Sequence, residues 1–326
     1  MKPEKAARKR RLPWRRILLL PAVLLLAVAA YFIESRSGWS DLYRAAGVSL
    51  DAPDADLLAQ TSTTVTVLDV GQGDAVLIGQ DGAYCLIDTG PSDAKGDLVR
   101  DLQLAGISKL DYLVLTHPHA DHTGGAREVL RNFAVGQLLV PPWDAQASGE
   151  TADWPRGLFD LAAEQGTDVI TAEDGTVYPL GSGTLTVLQG GESELYDTDD
   201  SSAHVNNASL CTLFEAGNFR YLSTGDAEST AEQRLVDVCS SVLFKAGHHG
   251  SSTSSTEALL QVVQPQAVAI SCGLNNDYGH PHARALQRLT DAGAEIYRTD
   301  TMGTITFTWQ NDTLSAASAD TLDAAA

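Results

Sequence analysis

In the stretch THPHADHTGG, Thr116 to Gly125, three histidines and an aspartate fall within six positions: His117, His119, Asp121 and His122. Imidazole nitrogens and carboxylate oxygens are good ligands for zinc and similar divalent ions. Alternate residues of an extended segment point the same way, so His117 and His119 can share one ion. Asp121 and His122 then turn toward a second position. Gly124 and Gly125 allow a tight turn into the next element. The apolar run LDYLVLT just before the loop reads as a strand. A loop at a strand's end is held rigid by the sheet, which is where chemistry usually sits in such folds. The competing reading, a solvated polar loop, leaves this density of ligand types unexplained.

One loop supplies too few ligands for an ion, and three later places offer more. The tetrapeptide STGD ends in Asp226 at the close of a strand, although a lone Gly-Asp there is more often a turn. KAGHHGS, Lys245 to Ser251, places His248 and His249 after another strand, and YGHPH, Tyr278 to His282, adds His280 and His282. Seven of the eight histidines therefore fall in three strand-end loops, which tells more than any single member.

The elements that must position these loops alternate. Thr64–Val70, Asp74–Ile78 and Tyr84–Ile87 read as a three-strand meander whose turns carry Gly71, Gly73 and the Asp81-Gly82 pair. A helix near Lys95–Ala105, the strand Tyr112–Leu115, a short helix over Ala126–Arg131 and the strand Gln137–Val140 follow. The second half echoes this, with strands at Thr184–Leu188, Ser209–Phe214 and Phe219–Ser223 and a helix near Ala227–Val236. Strand Ser241–Phe244, helix Thr256–Val263, strand Ala267–Ser271, helix His282–Ala292 and strands Glu295–Arg298 and Thr304–Thr308 close the domain. Runs that are apolar throughout, rather than alternating, predict paired sheets covered by helices on both outer faces. Tyr196–Ser202 reads as a solvated acidic loop.

The formal net charge is -20, unevenly spread. Residues 1–16 hold eight basic side chains against Glu4, and the rest of the chain carries 14 basic and 41 acidic ones. Directly after the basic block comes ILLLPAVLLLAVAAYFI, Ile17 to Ile33, without a charge, at the short end of what spans a bilayer. The positive-inside rule then puts residues 1–16 in the cytoplasm and the acidic bulk outside, on a single-pass anchor in the cell membrane. The rival is a cleaved signal peptide, since Ala27-Val28-Ala29 resembles a cleavage site, and the domain would then be secreted. Residues 34–63 read as a stalk, with a short helix around Asp41–Ala46, residues 64–310 as the folded domain and residues 311–326 as a disordered tail. The four cysteines form no CxxC, so a structural zinc site is not expected, and disulfide pairing stays open.

HPHADH matches the HxHxDH signature of the metallo-β-lactamase superfamily. Together with LDVGQGDAVLI, YCLIDTG, LSTGDAE, FKAGHHGSSTS and YGHPH it resembles the hydrolase domain of ComEC-type DNA-uptake proteins, over roughly Val65 to Phe307. The resemblance implies an αββα sandwich of the mixed α/β (α+β) class with two divalent metal ions at one edge. His117 and His119 would bind the first, Asp121 and His122 the second, and Asp226 would bridge them. His248 and His280 compete as the last ligand, the other serving as ligand or proton donor. His249 would sit just behind the ligands, His282 on the following helix, and Asp88 would orient a ligand histidine. Lys245, His249 or His280 could stabilise a leaving oxygen. Where many branches of the superfamily carry a histidine before Gly-Asp, this chain has Asn206 and Asn207, with His204 nearby. Fewer nitrogens leave manganese or magnesium open besides zinc.

These readings predict a membrane-anchored extracellular hydrolase that uses metal-activated water. Its expected substrate, taken from the resemblance, is DNA or another phosphodiester, and DNA-uptake or cell-surface machinery is the expected partner. The acidic balance works against DNA, since no basic patch with interleaved aromatics is visible. A lactone, a β-lactam or a cell-wall phosphodiester is the alternative substrate, and a non-catalytic surface binding module the alternative class. A single apolar span excludes a multi-helix channel within this chain.

Overall fold

A computed structural model describes residue 53 and residues 55–142, 154–190, 202–235 and 238–318. Short strands and helices alternate in it, and the strands assemble into two sheets. The first has eight: β1 (Thr63–Val67), β2 (Val76–Gln80), β3 (Ala83–Ile87), β4 (Lys109–Val114), β5 (Ala134–Val140), β6 (Asp168–Thr171), β14 (Ile305–Gln310) and β15 (Thr313–Ser318). Their order across the sheet is β15-β14-β1-β2-β3-β4-β5-β6, antiparallel at the meander and parallel from β3 to β6. The second sheet runs β13-β12-β11-β10-β9-β8-β7, built from β7 (Val177–Leu180), β8 (Gly183–Gln189), β9 (Cys211–Ala216), β10 (Phe219–Ser223), β11 (Leu243–Lys245), β12 (Ala267–Ile270) and β13 (Glu295–Arg298). Strands β10 to β13 are parallel.

Three apolar cores separate four layers. Between the sheets, Val65, Val67, Val76, Ile78, Val114 and Ile87 meet Leu185, Phe214, Phe219 and Tyr221. On the far side of the first sheet, Leu77, Leu86 and Leu113 pack under α2 (Lys95–Leu104) and α4 (Ala126–Asn132), through Leu98, Leu102, Val129 and Leu130. On the far side of the second, Leu222, Phe244 and Val268 meet Leu259, Val263 and Leu289 of α8 (Glu257–Val263) and α9 (Ala283–Asp291). Strand β2 shows why the continuous apolar runs were informative: Val76 and Ile78 enter one core, and Leu77 enters another. Fully burying each such side chain contributes roughly 1.5–3 kcal/mol. This is the expected αββα arrangement.

The remaining helices are α5 (Trp154–Glu164), of eleven residues, and the shorter α1 (Ala55–Gln60), α3 (Ala120–Thr123), α6 (Ser202–Asn207), α7 (Ser229–Glu232) and α10 (Thr299–Met302). Two boundaries move outward from those read in the sequence. Leu58 of α1 is buried in the core under α2 and α4, so residues assigned to the stalk belong to the fold. Strand β15 pairs with β14 from Ile305–Ser318 to Gln310–Thr313, so the region read as a tail begins with a strand. Its Thr-Leu-Ser-Ala-Ala-Ser sequence carries little apolar signal because only one face is covered. The basic segment 1–16, the apolar segment 17–33, the helix expected at 41–46 and residues 196–201 of the acidic loop lie outside the described residues. Among the described helices none is long and apolar enough to cross a membrane.

Candidate metal centre

The loops that carry chemistry all leave the same end of the parallel strands. Asp88 follows β3, the segment Thr116 to His122 follows β4, Asp226 follows β10, and His248 and His249 follow β11. Asp74 enters from the turn before β2, where Gly73 lies so close to the Asp121 carbonyl that a Cβ would overlap it. The Asp74 amide donates to that carbonyl, at 3.1 Å. Gly225 adopts φ +53° between Ser209 and Thr116, which turns Asp226 inward.

Two groups of ligand atoms result, each within 4.8 Å of one another: Asp74, His122, Asp226 and His249, and His117, His119 and Asp226. Asp226 belongs to both. In the second group His117 Nε2 lies 3.1 Å from His119 Nδ1 and 3.8 Å from Asp226 Oδ2. In the first, His122 Nε2 is 3.2 Å from Asp226 Oδ1, and these two buried atoms make no hydrogen bond of acceptable geometry. Convergent nitrogen and carboxylate ligands, buried and unsatisfied, are what a divalent cation would satisfy. The residues present fit such ions.

The surrounding groups fix the ring orientations. Asp88 accepts from the Thr116 amide and hydroxyl, and its Oδ2 lies 2.8 Å from His122 Nδ1. That leaves His122 Nε2 for the site. His249 Nδ1 lies 3.0 Å from the Ser271 carbonyl and must donate to it, so Nε2 faces Asp121 Oδ2 at 3.2 Å and Asp226 Oδ2 at 3.6 Å. Both His248 and His249 sit at positive φ, 48° and 54°, a costly conformation for such residues that clusters at functional sites.

Charge follows the same plan. Burial disfavours ionisation of Asp226, but His122, His249 and His117 outweigh it and hold the carboxyl well below the usual range. Burial likewise acts against the His122 cation, while Asp226, Asp88 and Asp121 carry its pKa well above the ordinary value. His249 is treated the same way by Asp226 and Asp74 and is pushed up to about 9. His117, where burial dominates, is pushed down. The carboxylates thus demand positive charge at their centre, which protons or divalent cations can provide.

The structure brings His117, His119, His122 and Asp226, read as ligands, into the two groups, and sets Asp88 against His122. Asp121, also read as a ligand, belongs to neither group and faces His249 instead. The other residues lie as follows. His249, expected behind the ligands, is the member of the HHGS pair that joins a ligand group. His248 Nε2 stays 3.7 Å from Asp226 Oδ2, with Nδ1 3.5 Å from Glu228. His280 belongs to neither group; its Nδ1 faces Gln72 Nε2 at 3.4 Å. Lys245, expected at a leaving oxygen, is fully buried and paired with Asp74. His204 is on α6, outside both groups. Asn207 is spent on structure, its Oδ1 accepting from the Glu228 and Ala231 amides. His282 accepts from the Ser252 amide at the start of α9. Asp74 is the residue missed; its signal is the GQGD turn, which sets a carboxylate just before β2.

A cleft of about 480 Å³ opens over the two groups, lined among others by Gln72, Ser92, His119, Asp121, His248 and His280. The family model described as metallo-beta-lactamase superfamily matches residues 68–273. The chain is 31% identical over 268 residues to ComE operon protein 3 of Bacillus subtilis (strain 168), covering 76% of this chain and 33% of that protein. It is 31% identical over 299 residues to competence protein ComA of Neisseria gonorrhoeae, covering 88% and 38%. The chain thus spans about a third of the length of these relatives. Among solved structures, CmlA, a diiron beta-hydroxylase from Streptomyces venezuelae, superposes with a TM-score of 0.51 at 17% identity, over 76% of this chain and 54% of that one. Igni18, a metallo hydrolase from Ignicoccus hospitalis KIN4/I, superposes with a TM-score of 0.50 at 17% identity, over 76% and 100%. These two likenesses concern the fold.

Proposed function

Because this chain belongs to the metallo-beta-lactamase superfamily, with competence proteins among its relatives, we propose that it is a two-metal phosphodiesterase that cleaves DNA outside the cell. The observation that carries this reading is Asp226, shared by two ligand groups on the floor of one cleft. His117, His119 and Asp226 would hold one ion, and Asp74, His122, His249 and Asp226 the other, with Asp121 beside His249. Divalent ions there would acidify a water and draw charge from a phosphoryl oxygen. Zinc suits the imidazole-rich set, and manganese or magnesium suits the carboxylates.

The chain's own groups prepare the site. Asp88 and the Ser271 carbonyl lock two imidazoles in one tautomer each. Lys245 neutralises Asp74 from behind and keeps that carboxylate in place. His248 borders the cleft with Nδ1 toward Glu228, and it would hand a proton to the departing oxygen.

Relatives named for competence support DNA as substrate, and the basic block followed by the apolar segment 17–33 supports a membrane anchor with the domain outside. The test is cleavage by the full chain of single- and double-stranded DNA, with Zn²⁺ or Mn²⁺, beside a bis-phosphodiester dye and a β-lactam. His119→Ala and Asp121→Ala are the controls. Metal-dependent cutting of DNA that both variants lose is the expected result. Intact DNA with fast turnover of the β-lactam would sink the nuclease reading and spare the metal centre.

A further inference from the structure

Among the described residues, two of the three exposed large hydrophobic side chains, Leu274 (70% exposed) and Tyr278 (67% exposed), belong to one loop beside the cleft. Tyr278 lines the cleft itself. Its ring lies parallel to that of His280, with centroids 5.7 Å apart and planes 18° apart. His280 in turn contacts the rings of His248 at 5.4 Å and His249 at 6.1 Å. A chain of ring contacts, edge-on at His248, tilted at His249 and parallel only between His280 and Tyr278, therefore runs from the ligand groups to an uncovered tyrosine.

The loop is held in shape. Asn276 Nδ2 donates to the carbonyls of Gly273 and His280, and Asn276 Oδ1 accepts from the amides of Tyr278 and His280. Gln72 accepts from the Gly273 amide. His282, whose Nδ1 accepts from Ser252, donates through Nε2 to the Tyr278 carbonyl at 3.2 Å. Six hydrogen bonds spent on displaying one aromatic side chain are not needed by the core, which Tyr278 does not enter.

The geometry points to Tyr278 as a stacking platform for one nucleobase of single-stranded DNA, an inference that rests on the nuclease reading. A flat π-face that continues an existing parallel ring pair suits a planar base, and every base has such a face. Stacking also answers the charge problem. An acidic chain cannot hold a strand through its phosphates alone, and an aromatic contact supplies affinity that salt does not screen. A base seated on Tyr278 would bring an adjoining phosphodiester toward Asp226 and leave the next bases unread.

The experiment compares the metal-loaded full chain with Tyr278→Ala and Tyr278→Trp on two single-stranded oligonucleotides, one normal and one abasic beside the cut site. Wild type should show a KM about tenfold lower for the normal strand than for the abasic one. Tyr278→Ala should erase that difference while Tyr278→Trp keeps it. A 2-aminopurine at the same position, read by stopped flow before turnover, should be quenched by wild type and not by Tyr278→Ala. If wild type cuts DNA and Tyr278→Ala still discriminates between the strands, the platform is wrong and the nuclease reading stands. If wild type leaves DNA whole, the nuclease reading falls and the platform with it.

Discussion

His122 Nδ1 lies 2.8 Å from Oδ2 of Asp88, and both are fully buried. The carboxylate sits at φ +59°, directly after β3, and also accepts from the Thr116 amide and hydroxyl. One side chain thereby ties the end of one strand to the start of the histidine loop and chooses which His122 nitrogen faces the site. Asp88→Asn should lower affinity for Zn²⁺ about 10- to 100-fold, because the ring loses its anionic partner. Competition with a chelating dye reads this directly, and an unchanged constant would mean that Asp88 only braces the loop.

Asp226 serves both ligand groups, whereas His119 serves one. Asp226→Asn should therefore reduce bound zinc from about two equivalents to below one, while His119→Ala should keep about one. Metal analysis after dialysis distinguishes the two. Equal losses in both variants would show that the groups act as a single site.

Lys245 and Asp74 form a fully buried ion pair that reaches from β11 to the turn before β2. Lys245→Met removes the nearest cation from Asp74 and leaves that carboxylate to His249 and His122, which should cost up to about 3–5 kcal/mol of stability. Adding Asp74→Asn to that variant should recover part of the loss, since the weakened carboxylate goes with it. Urea unfolding of the metal-free proteins measures both. A double variant no more stable than Lys245→Met would mean that the pair contributes mainly through packing.

The four cysteines are free thiols; Cys85, Cys211 and Cys272 are buried and Cys239 is exposed. Burial pushes the Cys272 thiol up to about 12, which keeps it out of the reactive thiolate form near neutral pH. The native chain should take up one maleimide quickly, at Cys239, and four after denaturation. No fast labelling, restored by a reductant, would point to a disulfide.

Much of the centre was legible because its ligands come in dense local runs. HPHADH places three ligand histidines and the neighbouring Asp121 in six residues, and the apolar strands that precede each loop mark which end of the sheet the loops occupy. The continuous apolar character of β2 and β4 also announced a sheet buried on both faces, because such strands serve two cores at once. Strands with one covered face, such as β15, and helices that carry no apolar stripe, such as α3 and α6, left no comparable signal.

What the sequence determined by itself was the chemistry: a cluster of imidazoles and carboxylates at strand ends, on a four-layer sandwich. The resemblance put His248 and His280 ahead of His249, although the three are equivalent as residue types. The tertiary structure decided between them through backbone conformation and partners. A left-handed turn and the Ser271 carbonyl aim His249 inward, and Gln72 meets His280 from a turn more than 200 residues away in sequence. The same holds for Asp74 and Lys245. Each is unremarkable in its own segment, and they become a buried pair only when the two sheets close on one another. Ligand identity is a local property of a side chain, but ligand direction is set by contacts between distant segments, and only the folded chain contains those.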